Sequence, residues 1–220
     1  MERSAFLLGL ATLVTLPTPA QAAGEGAMRI AVLGDSLALG TGASRADGGF
    51  IFQAFRSVLA QRPGSRIDNV AIGGATVADV VRLEVDRLRG TRYTCAIVCA
   101  GANDVVRATP EAAFASAYAT LLARLARTVP GMRIICCGVP DVSVSPIFAD
   151  ERAKTLATAR RDDRVVRLAA HRAGAAFVDL FALTHAVHDP QRFLSRDRFH
   201  PSDTGYGMLA NALTPVLTRE

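Results

Sequence analysis

The amino-acid sequence predicts an α/β protein built on a mostly parallel sheet with helices on both faces. Five short apolar runs recur along the chain, helix-length amphipathic stretches separate them, and no linker divides the alternation.

The runs are MRIAVLG (28–34), RIDNVAI (66–72), YTCAIVCA (93–100), MRIICCG (132–138) and AAFVDL (175–180). Each is continuous in hydrophobicity, the pattern of a strand covered on both sides. The clearest helix is 110–128, where Phe114, Ala117, Leu121 and Leu125 recur at spacings of three and four and make one apolar stripe. Pro110 and Glu111 suit its first turn, and Pro130-Gly131 stops it. Segments 50–61, 76–89, 150–173 and 202–218 read as further helices. In an open sheet of this kind, ligands bind beyond the carboxyl ends of the strands, near a switch in strand order. The strand ends here carry GDS (34–36), GGAT (73–76), GAND (101–104) and GVPD (138–141), so small and polar residues converge on one rim. GVPDVSVSPIF (138–148) is expected to form part of the cleft wall.

Of the 220 residues, 50% are hydrophobic and 20% charged, which supports a large core without metal or disulfide staples. The net charge is +5, and Lys154 is the sole lysine, so the positive charge is almost all arginine. The arginines are interspersed with acids, as in RLEVDRLRGTR (82–92), which reads as solvated helix faces. A nucleic-acid surface needs a segregated basic stripe and a recognition motif, and neither is present.

Residues 1–22 have the grammar of a secretory leader. Arg3 is a weak basic start, Ala5–Leu16 is an apolar stretch too short to span a bilayer, and Ala20-Gln21-Ala22 offers a cleavage site. This predicts an exported, periplasmic or secreted protein, with a single domain over 23–220 and no stable membrane insertion. Initiation at Met28, directly on the first strand, is the cytoplasmic alternative.

Cys95, Cys99, Cys136 and Cys137 lie within apolar runs and read as buried thiols, without the C-x-x-C spacing of zinc or redox sites. His185 and His188 lack the third ligand that zinc needs, so no metal or cofactor is expected. Gly40-Thr41-Gly42 leads to Arg45 where a dinucleotide fingerprint needs glycine, which removes the phosphate-loop reading.

Ser36, at the end of the first strand, is by itself an ordinary helix-start serine. Asp197 and His200 change its meaning. A serine hydroxyl becomes a nucleophile when an imidazole takes its proton and a carboxylate holds the other ring nitrogen. Asp-x-x-His can put carboxylate and ring on one turn. The N–H groups of Ser36 and Gly74, with the Asn103 amide, would supply three donors to a developing oxyanion. Each residue alone has a bland reading: a turn glycine, a helix-capping asparagine, a solvated histidine. Asp35 and Asp104 are expected to support their turns.

Together the motifs resemble those of the SGNH hydrolases, or GDSL lipase/esterase family. VLGDSLALGTG (32–42) resembles its first block, NVAIGGAT (69–76) the second, GAND (101–104) the third and DRFHP (197–201) the last, in the family's order. Ala38 and Leu39 stand where many relatives are polar, which would make the rim more apolar. The resemblance implies a three-layer α/β/α, flavodoxin-like fold with about five parallel strands. It implies a Ser36–His200–Asp197 triad, an oxyanion hole of Ser36, Gly74 and Asn103, and a metal-free acyl-enzyme route. The implied substrate is a small-molecule, lipid or glycan ester. Carbohydrate O-acetylesterase and thioesterase activities use the same site. A catalytically silent lipid- or glycan-binding protein and a nucleotide-binding protein are the readings from other classes.

Overall fold

The five apolar runs form five strands, and the stretches between them supply the helices of a three-layer α/β/α fold. The computed structural model describes residues 26–219; the leader expected over 1–22 lies outside them. In chain order the elements are β1 (Arg29–Gly34), α1 (Ser36–Leu39), α2 (Phe50–Gln61), β2 (Arg66–Asn69), α3 (Val77–Leu83), β3 (Cys95–Cys99), α4 (Ala102–Val106) and α5 (Glu111–Thr128). They continue with β4 (Arg133–Cys137), α6 (Arg152–Arg172), β5 (Ala176–Val178), α7 (Leu180–His185), α8 (Pro190–Phe193) and α9 (Asp203–Thr218). All strand pairs are parallel, in the order β2-β1-β3-β4-β5. The direction of winding reverses between β1 and β3, so the switch point lies at the ends that carry Ser36 and Asn103.

Side chains alternate across the central strands, and both sides are apolar. Ile30, Val32, Ile97, Cys99 and Ile135 pack under α2 and α9 against Phe50, Tyr206 and Leu213. Ala31, Leu33, Ala96, Val98 and Cys136 face α3, α5 and α6 against Val80, Phe114 and Leu121. That double coverage is why the runs are unbroken in the sequence. All four cysteines are buried free thiols, and burial pushes Cys95 and Cys136 up to about 12, which leaves them unreactive.

Two departures from the sequence pattern bear on the site. The 66–72 run pairs only as far as Asn69, whose side chain turns back to donate to the Ala38 carbonyl and accept from Ala71 N–H. The 76–89 pattern is not one helix but α3 followed by a 3₁₀ turn, Val85–Leu88. The break falls at Glu84, whose carboxylate leaves the helix surface to accept from Gly34 N–H at 2.8 Å.

Gly34 marks the tightest point of the sheet. Its φ is +143°, and a Cβ there would lie 1.8 Å from the Cys99 carbonyl oxygen. Gly34→Ala is therefore expected to cost about 3 kcal/mol or more. Gly131→Ala has open space around it at φ +77° and should cost about 1 kcal/mol through backbone strain alone. Denaturant midpoints of the two variants test this; equal losses would show that the Cys99 contact is not limiting.

Candidate active site

Ser36 is placed by the end of β1. Asp35 N–H bonds the Cys99 carbonyl of β3 at 3.2 Å, which turns the chain out of the sheet. The Asp35 carboxylate then caps α1 by accepting from Leu37 N–H at 2.9 Å. Ser36 is the first residue of that helix, with its N–H free of intrahelical bonding, and its hydroxyl is partly exposed at the rim.

Asp197 and His200 arrive on a short closed loop. An antiparallel bridge joins Leu194 to Pro201, and Ser195 N–H donates to the His200 carbonyl at 2.8 Å. Within it the Asp197 carboxylate accepts from Ser195 Oγ, Phe199 N–H and His200 N–H at 2.8–2.9 Å. Its second oxygen lies 2.7 Å from His200 Nδ1, and His200 Nε2 lies 2.8 Å from Ser36 Oγ. Burial acts to raise the Asp197 pKa, but the bonds from the ring, the two amides and the hydroxyl outweigh it and hold the carboxyl well below the usual range. Asp197 is ionised wherever the protein is folded at ordinary pH. A ring so held can take a proton from the hydroxyl through Nε2.

The remaining expected residues come to the same rim. Gly74 sits in a turn at φ +79°, a left-handed conformation that glycine adopts without strain. Its carbonyl is held by Arg107 Nη2 at 2.9 Å, and its N–H has no protein acceptor among the described residues. Asn103 lies inside α4 rather than capping it; Gly101 holds the cap position. The Asn103 amide nitrogen is 3.1 Å from the Ala75 carbonyl and 3.3 Å from Asp35, so two long bonds orient it. Asp104 ties the second block to the third by accepting from Val77 N–H at 2.9 Å. Of the two apolar departures, Leu39 stands exposed beside Gly73, whereas Ala38 is buried in the core.

Several supporting residues escaped the sequence reading. Gly42 is one: a Cβ there would meet His200 Cβ at 2.8 Å and Pro201 O at 2.9 Å. Ser44 donates its N–H and hydroxyl to Asp203, and Tyr206 donates to the Thr41 carbonyl at 2.6 Å while stacking on Phe50. These contacts fasten the loop after Ser36 to the start of α9, and so to the loop that carries His200. Glu84 left the one readable trace, an acid on the buried stripe of Val77, Val80 and Leu88. Burial pushes both Asp35 and Glu84 up to about 7, and raises Asp104 too. Among the described residues, no group of three His, Cys, Asp or Glu side chains could hold a metal ion. His185 instead pairs with Asp141 at 2.8 Å.

Comparison with known proteins gives the family and the fold. The family model described as the GDSL-like lipase/acylhydrolase family matches residues 32–208, most of the chain. The chain belongs to that family. It is accordingly an enzyme that hydrolyses ester bonds. A search of curated proteins finds no match. Among solved structures it is similar to the α/β hydrolase LAE5 from the metagenome of Lake Arreo, Spain. That pair has 23% identity and a TM-score of 0.68, covering 87% of this chain and 97% of the other. It is also similar to a lipase/acylhydrolase from Enterococcus faecalis, at 16% identity and a TM-score of 0.69, over 86% and 95%. A third is Axe2, an acetylxylan esterase from Geobacillus stearothermophilus, at 21% identity and a TM-score of 0.67, over 88% and 95%. At these identities the likeness is one of fold.

The buried carboxyls of this family member set a pH dependence of stability. With folded pKa values near 7, Asp35 and Glu84 keep protons that the unfolded chain has released by about pH 5. Stability therefore falls as pH rises from about 4 to 7 and then levels. Glu84→Gln keeps the acceptor for Gly34 N–H and should flatten that slope, by up to about 1.4 kcal/mol per pH unit for one proton. Urea titrations at a series of pH values measure it; an unchanged slope would mean that Glu84 is ionised in the folded protein.

Proposed function

We propose that the protein is a serine esterase working through an acyl-enzyme, with Ser36 as nucleophile, His200 as general base and acid, and Asp197 as the carboxylate that fixes the ring. The supporting observation is the continuous relay from Ser36 Oγ to His200 Nε2 and from His200 Nδ1 to Asp197, at 2.8 and 2.7 Å.

Ser36 Oγ bonds to the acyl carbon as its proton passes to Nε2. The carbonyl oxygen takes up negative charge between the N–H groups of Ser36 and Gly74, and Asn103 swings one N–H from its long bonds to join them. The tetrahedral carbon then expels the alkoxide, which leaves as the alcohol with the proton from Nε2. Water adds to the acyl-serine, giving a proton to Nε2, and collapse returns that proton to Ser36 and frees the acid. The imidazolium that forms twice is stabilised by ionised Asp197. Burial raises the Asp35 pKa to about 7, and its carboxyl accepts one of the long bonds that orient the Asn103 amide. The leader over 1–22 makes this an exported enzyme, a reading that rests on sequence alone.

Ser36→Ala should lower kcat/KM on a p-nitrophenyl ester by on the order of a thousand-fold or more, and Asn103→Ala should lower kcat by roughly 100–1,000-fold. Undiminished turnover in a folded Ser36→Ala protein refutes the assignment. Intact mass of protein secreted from a host carrying the full gene should begin at Ala23; a mass that retains residues 1–22 refutes cleavage there.

A further inference from the structure

A partly open apolar space adjoins the relay, and its lining includes Ser36 and His200 but not Gly74 or Asn103. It has a volume of about 40 Å³ and is bounded by Ser36, His200, Ala102, Val142, Val144 and Phe199. One water molecule needs roughly 10–15 Å³ of such space, so the cavity has room for a short hydrocarbon group. Pockets that enclose larger ligands run to roughly 300–1,000 Å³.

The polar groups on its wall are committed elsewhere. Thr184 Oγ1 accepts from Asp141 N–H and donates to the Leu180 carbonyl. Ser145 Oγ donates to the Arg198 carbonyl at 2.6 Å. Asp141 accepts from Ser143 through one oxygen and meets His185 through the other. What faces the space is hydrocarbon, and hydrocarbon is what it would hold. The same bonds pin Asp141–Ser145 at both ends, to α7 and to the Asp197–His200 loop. The wall cannot be displaced without breaking several buried hydrogen bonds, each costing about 1–3 kcal/mol when a partner is left unpaired.

We infer that this space is the acyl pocket and that it restricts the enzyme to acetyl and propionyl esters, with Val142 and Val144 as the residues that set chain length. The inference rests on the esterase reading. When Ser36 attacks, the oxyanion points to Gly74 and Asn103 and the alcohol leaves past His200. The acyl substituent is hydrocarbon, and this cavity beside Ser36 is the apolar space that matches it. A short chain fills it; each further methylene has to push against Val142 or Val144.

The test measures kcat/KM of the full protein on p-nitrophenyl acetate, propionate, butyrate, hexanoate and octanoate, then repeats the series with Val142→Ala and Val144→Ala. A single methylene in a fitted pocket is worth about 10-fold or more. The parent should peak at acetate or propionate and fall at least ten-fold by hexanoate. Each variant that keeps a cooperative thermal transition should move the peak one or two carbons longer. A parent that hydrolyses hexanoate or octanoate best overturns the pocket assignment and leaves the esterase reading intact. So does a peak unmoved in both variants. A folded parent inactive on every ester overturns the esterase reading, and the pocket assignment with it.

Discussion

The approach of Gly34 to the Cys99 carbonyl is the constraint from which the rest of the site follows. Only a residue without a Cβ lets β1 and β3 end this close together, and Asp35 N–H then closes the gap with a hydrogen bond. The serine that follows is thereby placed at the switch point, beside the strand whose continuation carries Asn103. Glu84 secures the same glycine from below through its N–H, so the turn is fixed on the backbone rather than on the packing of any one side chain.

The other half of the relay is held by a separate set of bonds. Asp197 organises its own loop by accepting two backbone amides and a hydroxyl, and it does so with the same carboxylate that orients His200. Arg198, at φ +60°, takes the left-handed turn that lets Asp197 and His200 face each other across one loop. Ser44, Gly42 and Tyr206 then fasten this loop to the segment after Ser36. The hydroxyl and the imidazole sit on different elements and still meet at hydrogen-bond distance, because the connecting loops are tied to each other.

The sequence made legible what is local. Continuous apolar runs announced strands covered on both faces, and β1 and β3 are buried along almost their whole length for that reason. Asp-x-x-His was readable because the pair acts within one turn, and Ser36, Gly74 and Asn103 because each stands directly beyond a strand end or its turn. The residues that went unseen act over long separations. Gly42 is required only because His200 lies against it, and Arg107 because the Gly74 carbonyl lies within its reach; neither neighbour is close in sequence. The helical period over 76–89 concealed the break at Glu84, since the demand for a carboxylate comes from β1 and not from the helix. At the edges, β2 and β5 are shorter than their apolar runs because the terminal residues turn into the loops and caps that shape the rim.

The placement of α9 ties the interior of the protein to the loop that bears His200. Tyr206, Leu209, Leu213 and Leu217 supply much of the core on one face of the sheet, and the same segment begins directly after the loop that bears His200. A change that loosens these residues therefore acts on the interior and on the His200 loop together. Packing under the sheet and the spacing of hydroxyl and imidazole are thus one mechanical property, set by a single helix.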